Sequence, residues 1–157
     1  SLHDALPICI IVICSILIIP LIILALASFP KGKYFNSDLK VLVKNGKADV
    51  IEVNKKIKID KDTIYIERII NTDTETNLIY KVIEVPGWSF SESALVLYDE
   101  KGKKNQKGGE SIGKIWGQDG IIIYDRINKN SKKITISLEW FDRRGKVVIP
   151  IGKGEDK

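Results

Sequence analysis

Residues 133–141 read KITISLEWF. In an extended chain Ile134, Ile136, Leu138 and Trp140 fall on one side, and Thr135, Ser137 and Glu139 on the other. Period two with this contrast marks a strand that buries one face and wets the other. Downstream, Asp142-Arg143-Arg144-Gly145 is expected to turn the chain, with Gly145 supplying positive φ. Val147, Ile149 and Ile151 then alternate in KVVIPI, residues 146–151. Pro150 lacks a ladder donor, which predicts a strand at an edge or near its end.

The same period recurs upstream. Leu78, Tyr80 and Val82 share one face of NLIYKVIEV. Ile64, Ile66 and Ile70 share one face of TIYIERII, with Arg68 interrupting. Asn71–Thr74, Pro86-Gly87 and Asp99-Glu100-Lys101-Gly102 separate the runs as turns. Strands are predicted near residues 50–59, 63–70, 76–85, 94–99, 112–116, 120–124, 133–141 and 145–151. Many short strands without an amphipathic helix between them predict a mainly β fold. The expected architecture over residues 49–152 is an immunoglobulin-like antiparallel β-sandwich of about seven to eight strands. Residues 153–157 are expected to be a disordered tail.

The amino-terminal part is of another kind. No charged residue occurs from Ile8 to Ala27, and a helix of that length spans roughly 30 Å, the hydrocarbon thickness of a bilayer. One transmembrane α-helix is expected over residues 8–29, with Pro20 tolerated inside it. Ala25-Leu26-Ala27 also has the small-x-small form of a cleavage site, so a protein secreted by release after Ala27 is an alternative. Residues 30–48 read as a juxtamembrane stalk. Tyr34 and Phe35 suit the interface, Leu39–Val43 is a candidate strand, and Asn45-Gly46 is its turn.

All 25 Lys and Arg follow Pro30, against 19 of the 20 acidic residues, a net charge of +6 for that part. Such a surface attracts anionic polymers, but its charges are interspersed, which marks a solvated face. No nucleic-acid partner is expected. Both cysteines, Cys9 and Cys14, lie in the apolar segment, so the soluble part contains no disulfide.

The soluble part has neither His nor Cys, which excludes Ser-His-Asp and Cys-His catalysis and His/Cys zinc sites there. No phosphate-binding glycine motif is present. No catalytic residue, cofactor or metal ligand is nominated, and the chain is not expected to be an enzyme. Asn71-Thr72-Asp73-Thr74-Glu75 alternates oxygen ligands but reads as a polar turn, not a calcium loop. KKNQKGGESIG, residues 103–113, reads as a flexible loop around Gly108 and Gly109. The nominated ligand contacts are Trp88, Phe90 and Trp116, aromatics in turn regions, together with Gly108 and Gly109. A cell-envelope polymer or a protein is the expected partner, alongside the membrane through Ile8–Ala27.

DTIYIERIINTDTETNLIYKV (62–82), ALVLYDEKGKK (94–104), KGGESIG (107–113) and YDRINKNSKKITISLEW (124–140) resemble an immunoglobulin-like ectodomain of unknown function in Gram-positive bacteria. The features carrying this are Thr74-Glu75-Thr76 ahead of the Tyr80 strand, the Asp99–Gly102 turn, Gly108-Gly109, and Asn130–Lys133 ahead of the penultimate strand. The resemblance implies one membrane helix with the β-domain outside the cell. Many such proteins carry a cytoplasmic segment resembling zinc-binding anti-sigma domains. A transmembrane anti-sigma-like regulator lacking its cytoplasmic part is therefore a further alternative. Ser1–Ile8, SLHDALPI, resembles translated sequencing-adapter DNA that recurs at the ends of unrelated proteins. Residues 1–7 are accordingly expected to be foreign. Without that resemblance, Lys31 and Lys33 opposite an amino-terminal flank with no Lys or Arg would place the β-domain in the cytoplasm.

Overall fold

The computed structural model describes residues 2–27, 37–84 and 90–151, with the side chains of the first helix described from Ile10 onward. That helix, α1, runs Leu2–Ala27 through Pro20 and begins well before Ile8. From Ile10 to Ala27 it is long and apolar enough to cross a membrane, and its large side chains there are exposed all round.

The next element corrects the expectation of a strand at Leu39–Val43. Ser37–Lys44 is a short helix, α2. Leu39, Leu42 and Val43 have the spacing of one helical face and, with Ala48, pack on Ile70, Ile79 and Ile121. Asn45-Gly46 closes the helix, not a hairpin. Gly46 takes φ +67°, Gly46 N–H reaches Val43 O at 3.1 Å and Lys47 N–H reaches Leu42 O at 2.9 Å. This is a Schellman cap, in which glycine tolerates the left-handed position. The region read as a stalk thus supplies a helix docked on the sandwich.

Among the described residues nine strands follow: β1 Asp49–Ile59, β2 Asp62–Asn71, β3 Glu75–Ile83, β4 Leu95–Asp99, β5 Gly102–Lys103, β6 Gln106–Lys114, β7 Gly117–Asp125, β8 Lys133–Trp140 and β9 Arg143–Pro150. They form two antiparallel sheets, β1-β2-β3-β7-β6 and β5-β4-β8-β9. Leaving β1 aside, β2 to β9 reproduce the A-B-E-D and C′-C-F-G order of an immunoglobulin sandwich. β1 is an added strand beside A. It also lies against β9, where Ile57 packs over Gly145 and covers that side of the sandwich.

The core between the sheets contains Ile66, Ile69, Leu78, Tyr80, Val82, Leu95, Leu97, Ile122, Tyr124, Ile134, Ile136 and Leu138. The facing of Ile134, Ile136, Leu138 and of Leu78, Tyr80, Val82 follows the sequence pattern. β2 departs from it. A bulge between Ile66 and Arg68 shifts the register, so Ile69 enters the core and Ile70 turns outward beneath α2. Pro150 ends β9 at a sheet edge, as its missing N–H requires.

One turn and one loop also differ from the sequence reading. Asp99–Gly102 is the expected hairpin, with Gly102 at φ +115°. The β8–β9 turn is Phe141-Asp142, with Phe141 at φ +52°, while Gly145 is paired with Leu138 inside β9. Gly145 is small for another reason: a Cβ there would collide with the Ile57 side chain. Residues 103–113 are not a loop either. Most of them form β6, which the strand expected at 112–116 captured only at its end.

Because α2 is held by few side chains, Leu39 should carry much of its docking. Leu39→Ala should cost about 2–3 kcal/mol. Amide exchange should then accelerate over residues 37–47 before it does in β3 and β7.

Candidate functional site

One end of the sandwich gathers the turns β1–β2 (Asp60-Lys61), β6–β7 (Ile115-Trp116) and β8–β9 (Phe141-Asp142), and β3 also ends there, leading toward β4. In immunoglobulin topology these include the B–C, D–E and F–G positions, and the B–C and F–G loops bear binding residues in variable domains. Asp49, where the chain joins the sandwich, is at the opposite end.

The β8–β9 hairpin tip is shaped by two adjacent aromatics. Successive strand residues point to opposite faces, so Trp140 and Phe141 cannot both enter the core. Trp140 packs against the core, its ring 5.8 Å from that of Phe90 in an edge contact. Phe141 takes the positive φ of the first loop position and is 91% exposed. Its ring centroid is 6.1 Å from that of Trp140.

Arg143 ties this hairpin to its neighbour. Its Nε is 3.2 Å from Asp60 Oδ2, its Nη1 is 3.7 Å from Asp62 Oδ2, and its guanidinium lies 6.0 Å from the Trp140 ring centre. Arg143, Arg144, Lys58, Ile59, Asp60 and Asp142 line a shallow depression of about 410 Å³. Beneath it a narrow cavity of about 10 Å³, room for about one water, reaches Glu84, Phe90 and Trp140. Burial raises the Glu84 carboxyl above its ordinary value, and the charge of Asp62 adds to this. Guanidinium donors, carboxylate acceptors and an exposed ring suit a ligand with both polar groups and an apolar face.

The nominated residues are placed as follows. Phe90 is buried in the core at 5.8 Å from the Tyr80 ring, which makes it a support for this end, not a contact surface. Trp116 is half-buried beside the exposed Ile115, and its carbonyl accepts from Glu84 N–H at 3.2 Å. Trp88 lies outside the described residues. Gly108 and Gly109 are paired with Ile123 and Ile122 inside β6 and are not brought to this end. A Cβ on Gly109 would meet the Glu92 carboxylate and stand 3.0 Å from Ile121 O, so that glycine serves close packing. Phe141, Arg143 and Asp60 were missed, although the Trp-Phe pair at the end of an alternating run was a readable sign.

At the opposite end, oxygen-bearing side chains are engaged within the protein. Thr72 Oγ1 accepts from Glu75 N–H at 3.1 Å, and Asp73 pairs with Arg126 at 3.2 Å, so residues 71–75 form a side-chain-braced turn. Asp99, whose side chain is fully buried, meets Lys104 Nζ at 2.7 Å. It also accepts from Asn128 N–H at 2.9 Å and Lys101 N–H at 2.8 Å. Burial pushes its carboxyl up, but the bonds from Lys104 and these amides outweigh burial and hold it below the usual range. Among the described residues no group of three or more His, Cys, Asp or Glu is arranged to hold a metal ion.

No protein-family model matches the sequence, and no curated protein does. Among solved structures the chain is similar to a conserved domain protein from Bacillus anthracis, with a TM-score of 0.42 and 11% identity. The likeness covers 66% of this chain and 47% of that one, so the chain spans about half its length. The fold assignment stands on the strand order itself.

Two expectations follow from the titrating groups. Glu84 is harder to ionise folded than unfolded, so its charge destabilises the fold near neutrality, and that penalty disappears as pH falls and the group protonates. Glu84→Gln should raise Tm at pH 7 and leave it unchanged near pH 4, as thermal melts across that range would show. Asp99 has the opposite sign: its contribution is full above the unfolded value and is lost as pH falls through the folded one. Asp99→Ala should cost about 3 kcal/mol at pH 7, because Lys104 loses its buried partner, and denaturant titration measures this.

Proposed function

We infer that this chain is a membrane-anchored, extracytoplasmic, non-catalytic binding module that uses the turn end of its sandwich as the ligand face. The observation that carries the reading is Phe141. A bulky ring held at positive φ and almost wholly in water is costly for the fold and useful for contact. Arg143 and Arg144 beside it offer donors to an anionic or hydroxyl-rich polymer of the cell envelope. The apolar span of α1 supports the anchor, and the resemblance of residues 62–140 to bacterial ectodomains supports the outward orientation.

Both halves of this reading are testable in the full chain. Its two cysteines are in the apolar segment, so Phe141→Cys in a Cys9→Ser, Cys14→Ser background gives one reactive site on the β-domain. A membrane-impermeant maleimide should label that site in intact cells; labelling only after lysis would reverse the orientation. The detergent-solubilised chain should co-sediment with purified envelope polymer, and Phe141→Ser with Arg144→Ser should weaken this about tenfold or more at unchanged Tm. Equal sedimentation of variant and parent would remove the turn end as the ligand face.

A further inference from the structure

Four strands end the two sheets, and three are protected. β1 and β9 lie against each other, and β5 is only 2 residues long. β6 differs: it has 9 residues, pairs with β7 on one side, and exposes most of its side chains. An edge of this length presents backbone donors and acceptors that a further strand can complete. Ile112, 49% exposed, sits on it.

We propose that β6 is a self-association edge, where two copies of this chain pair antiparallel with Ile112 opposite Ile112. The charges of the strand select this register. Lys107, Glu110 and Lys114 are its ionisable residues. Centring the pair on Glu110 sets carboxylate against carboxylate. Lys107 is already paired with Asp125 at 3.3 Å and takes no part in the choice. Centring on Ile112 places Glu110 opposite the partner's Lys114 twice, once on each side of the twofold axis. A Lys107–Glu110 register would set side chains of opposite facing against each other and crosses the bulge between Gln106 and Gly108, so it does not compete.

The anchor imposes a second condition, and the same pairing meets it. A continuous antiparallel sheet has its twofold axis perpendicular to the sheet. Two copies anchored in one membrane share a twofold axis along the membrane normal. The β6-bearing sheet must then lie parallel to the membrane, with both copies of its outer face on the same side. That outer face carries α2, packed on Ile70, Ile79 and Ile121, and α2 is the element that follows the apolar helix. Confinement to the membrane plane raises the effective concentration at which a short strand pair can form.

Cross-linking of the full chain in isolated membranes tests the register. In the Cys9→Ser, Cys14→Ser background, Ile112→Cys places two thiols on residues whose Cα atoms are about 4.5–5.5 Å apart, within disulfide reach. Oxidation should give a reducible band at twice the 17.7 kDa chain mass. Ile115→Cys is equally exposed, but its counterpart lies about 20 Å away in this register, and it should stay monomeric. Glu110→Lys should lower the Ile112→Cys dimer severalfold, and Glu110→Lys with Lys114→Glu should restore it. Equal cross-linking at 112 and 115, or indifference to the charge reversals, would overturn the proposal.

Discussion

The Tyr124 hydroxyl crosses the sandwich and donates to Leu95 O at 2.7 Å, joining the E-like strand of one sheet to the start of the C-like strand of the other. Among the described residues of the β-domain there is no disulfide to do this, and apolar burial alone does not specify how two sheets are aligned. A hydrogen bond between layers does, because a slip strands a buried hydroxyl and a buried carbonyl. Tyr80, on the neighbouring strand of the same sheet, accepts from Gln118 Nε2 at 2.9 Å, which ties β3 to β7. Its ring fits because residue 120 is glycine; a Cβ there would stand 2.5 Å from the Tyr80 oxygen. Burial raises the pKa of both tyrosines further above their ordinary value, so both hydroxyls stay protonated.

Around that frame, small register changes assign the remaining surfaces. The bulge after Ile66 sends Ile69 inward and Ile70 outward, which creates the apolar seat for α2. Gly145 lets Ile57 approach β9, so β1 becomes a cover for the sandwich side as well as a fifth strand. The turn end inherits its form from β8, whose period puts Trp140 in the core and leaves Phe141 no buried direction.

The sandwich class and seven of the strands, β1 to β4 and β7 to β9, were legible from near-alternating apolar runs bounded by turn residues. What escaped notice shares a physical cause: contact with another element decides it. Leu39, Leu42 and Val43 carry helical spacing, but so short a helix is marginal alone and needs the sheet to hold it. β6 is rich in Gly and Lys, and its pairing with β7, not its propensity, makes it a strand. Gly145 looked like a turn residue because a glycine after polar residues usually is one; only the nearness of Ile57 gives it another reason. Of the nominated contacts, Trp116 lies at the turn end of the sandwich. Phe90 belongs to its core, since a ring in a connection is buried as readily as exposed when the sheets leave space behind it.

A pair joined at β6 also changes what the turn end faces. With the β6 sheet parallel to the membrane, the long axis of each sandwich lies along the surface and not away from it. Antiparallel pairing then points the two Phe141 tips in opposite directions in that plane. A ligand bound there would be met close to the bilayer, and one polymer could not bridge both tips without wrapping the dimer. The +6 charge of the part after Pro30 favours the same layer, because anionic headgroups and envelope polymers are both concentrated there. In the proposed arrangement the membrane-facing side, the self-pairing edge and the ligand face are three separate surfaces of one sandwich: the α2-bearing face of its larger sheet, one lateral edge and one end. Each can be occupied without displacing the others.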